Sequence, residues 1–217
     1  MLNVRTIVTY VLVFVVSLGL SFLEVSLGII LFTAFFLVSA LIFAPFYHSV
    51  FLQKNPEKVE KFLVQNKKQP IYQFYYGLAN ERDEDVEEAY KKIVKKYKRK
   101  DKRAIYDIIY ALYHHDPQAA RQSINNIQVS LYKDYYKASI FIEERRFPLA
   151  EQILDEIPQD WMREALKAEI EMKTKRRKRA VPFAERALEH SRGLQKYMLY
   201  KNYLRELPEL GLEELNK

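Results

Sequence analysis

The charged residues are distributed so unevenly that the chain divides into two parts with different chemistry. Residues 1–50 contain only two formal charges, Arg5 and Glu24, among mostly apolar side chains. Of the 35 Lys and Arg and the 28 Asp and Glu in the chain, all the others lie in residues 51–217, which therefore carry the whole net charge of +7. Such different compositions indicate that the two parts fold in different surroundings.

Two apolar runs in the first part have the length of a membrane span. Residues 6–23 and 25–44 form runs of 18 and 20 residues without a charge. A helix rises about 1.5 Å per residue, and the hydrocarbon layer is about 30 Å thick. We expect a transmembrane helical hairpin over residues 1–50, with Glu24 in water at the turn, since one continuous helix would bury this charge. A cleaved signal peptide is the alternative, but its apolar region is much shorter than this stretch.

The basic residues predict the orientation of this hairpin. Arg5 precedes the first run, and five lysines follow the second run between Lys54 and Lys68. Because basic residues are retained on the cytoplasmic side, we expect a two-span protein of the cell membrane with both termini in the cytoplasm. Residues 51–69 are then a juxtamembrane helix and linker, and residues 70–217 form a cytoplasmic domain.

The second part carries frequent signals for the start of helices. Asn55-Pro56 and Asp116-Pro117 each place a capping side chain before a first-turn proline. Five glycines and eight prolines are too few for the tight turns of a sheet protein, so we expect an all-α fold. The absence of cysteine excludes disulfides and thiolate metal sites. The pattern predicts helices over residues 71–80, 86–99, 102–114, 117–128, 131–144, 148–157, 161–174, 180–190 and 194–207.

Small side chains recur along these helices at a fixed spacing. The first set is Gly77, Ala111, Ala138 and Ala168, and the set twelve residues later is Ala89, Ser123, Ala150 and Ala180. Four residues further on lie Ile93, Ile127, Leu154 and Ala184. Small side chains allow paired helices to cross closely, and the residue that follows fills the space between pairs.

This pattern resembles the tetratricopeptide repeat family, whose helical hairpins carry a small residue, an alanine twelve residues later and a large apolar residue four after that. The resemblance implies an α-solenoid of about four degenerate helix pairs behind the membrane hairpin, with the helix over residues 194–207 capping the open end. The first small residues are spaced 34, 27 and 30 apart, while the family keeps 34. An irregular helical bundle is the alternative.

For a member of that family, the implied activity is the binding of a peptide or partner helix in a groove lined by the first helix of each pair. The chain would then be a membrane-anchored scaffold or adaptor. The candidate partner-binding residues are Phe74, Leu78, Ile108, Leu112, Tyr132 and Tyr135, with Ser139 and Glu169 at further groove positions. The Asn and Lys with which some members clamp an acidic C-terminus are missing from these places. Alternatively, these side chains are core, because core and groove share one helix face.

Basic segments over residues 91–103 and 173–179 suggest a second function, contact with an anionic surface. The candidate residues are Lys95, Lys96, Lys98, Arg99, Lys175, Arg176, Arg177, Lys178 and Arg179. Anionic lipid, the nearest polyanion for a tethered domain, attracts each basic residue near its surface by about 1 kcal/mol. Nucleic acid is less favoured because no recognition motif accompanies the basic segments. A solvated face screened by salt is the alternative.

No motif commits the chain to catalysis. His114-His115-Asp116 is the only tight group of potential metal ligands, and adjacent helical residues point about 100° apart. No further ligands are spaced to complete a tetrahedral site, and a capping aspartate beside two exposed histidines is the simpler interpretation. The sequence also lacks a phosphate-binding glycine loop, an HExxH motif and a nucleophile elbow. We therefore expect a protein that is not an enzyme and that binds no cofactor and no metal.

Overall fold

The computed structural model describes residues 4–23 and 25–212, and the side chains at residues 4–7, 9, 10, 42 and 45 lie outside this description. Every regular element over these ranges is a helix, so the predicted all-α class is confirmed. The chain divides into two compact units, Met1–Leu52 and Gln53–Lys217. The second unit therefore includes the helix that the sequence assigned to a juxtamembrane segment.

The first unit consists of two long helices in contact with each other, α1 (Val4–Phe22) and α2 (Leu27–Tyr47), followed by a π-helical turn at His48–Leu52. Glu24, which the sequence places at the turn, lies outside the described residues. None of the side chains described in this unit is buried, and Phe22 is 82% exposed. Among the side chains that the structure describes, no helix presents a stretch long and apolar enough to cross a membrane. The spans over residues 6–23 and 25–44 stay predictions.

The second unit consists of helices joined by short connections. Their bounds are α3 (Pro56–Gln65), α4 (Pro70–Ala79), α5 (Asp83–Lys96), α6 (Lys100–Tyr113), α7 (Pro117–Ile124), α8 (Ser130–Glu143), α9 (Phe147–Leu154), α10 (Asp160–Lys173), α11 (Arg177–His190) and α12 (Gly193–Glu206), before a 3₁₀ turn at Pro208–Leu210. The side chain of Asn55 accepts hydrogen bonds from the backbone N–H groups of Glu57 and Lys58, at 2.8 and 3.1 Å. Asp116 accepts one from Ala119 at 2.9 Å, so both predicted caps are confirmed.

The helices from α4 to α11 pack as four successive pairs, α4–α5, α6–α7, α8–α9 and α10–α11. Helices α6, α8 and α10 begin at residues 100, 130 and 160, and their partners begin at 117, 147 and 177, so three pairs repeat every 30 residues. The first pair has the same plan with a shorter first helix. Each second helix also packs on the first helix of the next pair.

The turn inside each pair has one repeated backbone geometry. Its central residue has a positive φ in all four pairs, at Glu81, His115, Arg145 and Lys175. The N–H group of the next residue bonds the carbonyl five residues earlier, that of Gly77, Ala111, Phe141 or Glu171, over 2.8–2.9 Å. These bonds are those of a Schellman motif, which ends a helix and satisfies its last carbonyls.

This turn geometry shows which residues of the four pairs are equivalent. For two of the four pairs, the equivalent residues differ from those that the small-residue pattern of the sequence matched. The equivalents of Ala138 and Ala168 are Phe74 and Ile108, all of them fully buried, instead of Gly77 and Ala111. The turns are spaced 34, 30 and 30 apart, not 34, 27 and 30. A shift of three residues keeps a side chain on the same helix face, so periodicity did not separate the two alignments.

The C-terminal helix also lies differently from the prediction. Helix α12 contacts α11 of the last pair. It also contacts α3 and α4, the first two helices of the second unit. It therefore bridges the last pair and the first, where the sequence predicted a cap on an open end. The backbone N–H of Gly193 at its start bonds the carbonyl of Gln53 at 2.7 Å.

Candidate functional site

The first helices α4, α6, α8 and α10 form a surface that we call the inner face, and α12 lies against it. Met198 of α12 packs against the cluster of Phe74 and Leu78 from α4. Tyr203 of α12 is buried with Ala165 and Ala168 of α10. Helix α12 thus covers the α4 and α10 parts of the face that the sequence predicted as a groove.

Polar contacts hold α12 to the N-terminal helices. The Lys201 ammonium lies 3.2 Å from the Glu60 carboxylate of α3, and Asn80 at the end of α4 donates a hydrogen bond to the Tyr197 hydroxyl at 2.8 Å. Arg205 donates to the carbonyl of Ala79 at 2.5 Å, and its Nε lies 2.9 Å from Glu81. We define the α12 seat as these four residues, Glu60, Ala79, Asn80 and Glu81, together with Ala165 and Ala168 of α10, which pack against Tyr203.

The inner face also carries a group of tyrosine hydroxyls. Burial raises the pKa of Tyr75 and of Tyr136, and neighbouring tyrosines on other first helices raise both pKa values further. The pKa of Tyr106 is raised to about 12 by burial first and then by Tyr97 and Tyr72. The side chains that project from the inner face therefore meet each other in surroundings with little water.

One carboxyl group, that of Glu169, lies near the hydroxyls of Tyr135 and Tyr203. Burial raises the pKa of Glu169 to about 7, against the opposing effect of the Lys173 ammonium and with a smaller contribution from Glu143. Tyr203 of α12 lies close enough to Glu169 and Tyr135 that both add to the rise in its pKa that burial causes. The Tyr203 hydroxyl is buried, and it has no hydrogen-bond partner in the part of the chain that the structure describes.

The predicted partner-binding residues fall into two groups. Phe74, Leu78 and Ile108 are buried in the cores of the helix pairs, at 0%, 6% and 0% exposure. In this fold these three side chains have no free surface for a partner. They are core residues, which was the alternative interpretation of the sequence. The remaining three, Leu112, Tyr132 and Tyr135, are partly exposed. Their role in binding stays a prediction.

Ser139, like Glu169 described above, is a further predicted groove position on the same face. Ser139 is buried, and its hydroxyl donates to the carbonyl of Tyr135 at 3.1 Å. The Tyr135 ring lies 5.9 Å from that of Trp161. The Tyr135 side chain therefore packs against α10 through Trp161, and it lies near Tyr203 of α12.

The two basic segments are exposed but do not form one surface. Lys95, Lys96, Lys98 and Arg99 lie at the end of α5 and in its connection to α6, where a second helix leads to the next first helix. Lys175–Arg179 lies at the turn inside the last pair and the start of α11. Connections of these two kinds lie at opposite ends of antiparallel helices. Over the described residues, only three of the nine candidates form ion pairs: Arg99 with Asp101, Arg176 with Glu171, and Arg177 with Glu209.

A cleft that the sequence did not indicate lies between the first two pairs. It has a volume of about 340 Å³ and is lined by residues of α5, α6 and α7, including Tyr90, Asp107, Tyr110 and His114. The Tyr90 and Tyr110 rings stack at 3.8 Å, and the Tyr90 hydroxyl donates to Asp107 at 2.9 Å. Since tyrosines are frequent throughout the chain, no sequence signal distinguishes this pair.

The histidines of His114-His115-Asp116 are directed apart. His114 lies 3.1 Å from Glu87, and His115 lies 2.7 Å from Glu143 on another helix. Across residues 4–23 and 25–212 the structure brings together no group of three or more potential metal ligands.

The chain was compared with family models, curated proteins and solved structures. No family model matches the sequence, and no curated protein and no solved structure matches it either.

Proposed function

We propose that the chain is a membrane-anchored scaffold that recruits a protein partner through its helical-repeat unit. The observation that carries the proposal is the contrast between the two units. The first leaves large apolar side chains exposed, while the second buries apolar side chains in clusters between its helices. Exposed apolar surface costs about 25 cal/mol per Å² in water, so a unit of this kind requires a lipid or protein surface to cover it.

In this proposal the first unit inserts into the cell membrane as a two-span hairpin, and both termini lie in the cytoplasm. Phe32 and Phe35 of α2 are 71% and 72% exposed, and the Tyr47 and Phe51 rings lie in contact with centroids 5.0 Å apart. Aromatic pairs of this kind are frequent where a helix leaves the lipid. The second unit is a TPR-like α-solenoid whose ends are bridged, and the partner is a protein or peptide.

Membrane fractionation of the full chain tests the anchor. The wild-type chain is expected to resist alkaline extraction, and a variant with Phe14→Lys, Phe32→Lys and Phe35→Lys is expected to be released. A control with Lys95→Ala, Lys96→Ala and Lys98→Ala should stay with the membrane. Reporter fusions to Lys217 should give cytoplasmic activity only. A wild-type chain that is extracted with the soluble fraction would refute the anchor.

Crosslinking tests partner recruitment. With a photo-crosslinking residue at Leu112 or Tyr132 of the full chain, we expect one defined protein to be captured. A crosslinker at Gln118, on the outer side of α7, is the matched control and should not capture it. Equal capture from both positions would contradict recruitment through the inner face.

Contact with anionic lipid is the second candidate, and the exposure of the basic segments supports it. Lys95, Lys96 and Lys98 are exposed and form no ion pair within the described residues. The test uses the full chain in neutral vesicles and measures its capture of anionic vesicles at low and high salt. Neutralising Lys95, Lys96 and Lys98 should abolish capture, while neutralising three residues that are already ion-paired, Arg121, Arg163 and Arg186, should not. Retention of capture at high salt, or capture of RNA in place of vesicles, would contradict this candidate.

A further inference from the structure

Helix α12 is enclosed more completely than a helix on the surface of a domain. Of the residues from Gly193 to Glu206, only Arg205 and Glu206 are exposed. An ordinary surface helix buries one stripe and leaves the opposite face to water. Helix α12 is thus at least partly covered on every side by the rest of the unit, although only Gly193, Tyr197 and Tyr203 are buried.

Polar and aromatic contacts hold α12 to the helices at the start of the unit. The Lys201 and Arg205 side chains of α12 pair with two carboxylates of the seat, Glu60 and Glu81. The fully buried side chains of α12 are Tyr197 and Tyr203, and the Tyr203 hydroxyl has no hydrogen-bond partner among the described residues. Aromatic side chains surrounded by polar and charged groups are typical of protein–protein interfaces.

The cores of the central pairs are complete without α12. One cluster joins α6, α7 and α8 around Ile108 and Ala120, and another joins α8, α9 and α10 around Ile142 and Leu154. Neither cluster includes a residue of α12 among those described. Removing α12 would therefore expose the seat and the small side chains of α10 and α11 around Tyr203, and it would leave these two central cores intact.

We infer that α12 is a displaceable self-ligand, and that the α12 seat is the partner site of the scaffold, kept closed until a competing helix replaces α12. The inference rests on the proposed scaffold function and adds the location of the site and the chemistry of its partner. The partner is a cationic amphipathic helix with α12's arrangement, in which two aromatic residues six positions apart flank a Lys, and an Arg follows. Charge complementarity to Glu60 and Glu81 selects this partner over an acidic or purely apolar helix.

The first experiment measures the binding of a labelled peptide of residues 193–212 to the full chain in detergent micelles. The release variant carries Lys201→Ala and Arg205→Ala, which remove the ion pairs to the seat. The control variant carries Lys95→Ala and Lys98→Ala, which remove the same charge from an exposed segment. We expect saturable binding to the release variant only, and at least tenfold weaker binding when the peptide carries Tyr197→Ala and Tyr203→Ala.

Two results would overturn the inference. One is a release variant that is folded by circular dichroism and monomeric but binds no peptide, which would make α12 a fixed part of the core. The other is equal binding to the wild type and the release variant, which would show that α12 does not close the seat.

A second measurement on the wild type does not depend on how the variants fold. Amide hydrogen exchange should show α12 opening at lower denaturant than α8 and α10, because a displaceable helix opens locally. Exchange of α12 only together with α8 and α10 would refute the inference. Both measurements omit any cellular partner and any lipid, so their failure leaves the membrane anchor and partner crosslinking to be judged separately.

Discussion

Gly77 is the position where a single methyl group is expected to matter most. A Cβ atom at Gly77 would lie 2.9 Å from Cγ2 of Val86, 3.0 Å from the Val86 backbone nitrogen and 3.1 Å from Cβ of Asp85. Ordinary contacts between carbon atoms are about 3.5–4.0 Å. Gly77→Ala therefore forces α4 and α5 apart next to the turn that joins them.

Two opposing effects set the size of this change. Alanine favours a helix over glycine by up to about 1 kcal/mol. Overpacking costs about 1–3 kcal/mol when the neighbours are held in place. They are held here, because Val86 is fully buried and Asp85 pairs with Lys67 at 3.1 Å and with Arg82 at 2.8 Å. We expect Gly77→Ala to lower the free energy of unfolding by about 1–2 kcal/mol.

Urea unfolding followed by the fluorescence of Trp161, the only tryptophan in the chain, measures this effect. Ala111 occupies the equivalent position of the second pair, so Ala111→Gly is the matched control. It should also destabilise, by about 1–2 kcal/mol, since there the alanine is accommodated and both helix propensity and a buried methyl group are lost. In the double variant with Val86→Ala, the removal of Cγ2 should recover at least about 0.5 kcal/mol relative to the sum of the single changes. An unchanged or higher stability of Gly77→Ala would refute the reasoning.

Three further predictions use the same unfolding assay. Arg145 has a φ of +59° and forms no ion pair among the described residues, so Arg145→Gly should stabilise by about 0.5–1 kcal/mol by relieving the left-handed conformation; a loss of stability would contradict this. Asn55→Ala and Asp116→Ala should each cost about 1 kcal/mol through a lost helix cap, and Asn55→Asp should retain most of that energy; an equal loss for Ala and Asp would argue against capping. The pKa of Glu169 is raised to about 7, above its unfolded value, so the folded state takes up a proton and loses stability as pH rises from about 4.5 to 7. Glu169→Gln should therefore be more stable than the wild type at pH 8, by up to about 3 kcal/mol at about 1.4 kcal/mol per pKa unit, with a difference that vanishes below pH ~4.5; a difference independent of pH would refute the assignment.

Much of the secondary structure follows from local chemistry. The caps at Asn55 and Asp116 and the prolines behind them predict helix starts at residues 56 and 117, where α3 and α7 begin. A cap requires only residues that are neighbours in sequence, so the information is complete at that level. The number of helix pairs follows similarly from the alternation of helices and short turns.

The register between pairs and the closure of the unit do not follow from local chemistry. Gly77 and Ala138 are both small residues in the first helix of a pair. Only the turn geometry at Glu81 and Arg145 shows that they do not occupy equivalent positions in the two pairs. Helix α12 has the composition of a terminal cap, yet it lies between the last pair and the first.

The sequence by itself determined that the chain is helical, that its apolar and charged parts are separate, and where most helices begin. These properties depend on residues within a few positions of each other, so the order of side chains is sufficient to encode them. Only the tertiary structure decided that Phe74, Leu78 and Ile108 are core and that α12 covers part of the predicted groove. Such contacts join residues more than a hundred positions apart, as between Asn80 and Tyr197, and they depend on the summed geometry of every pair between them.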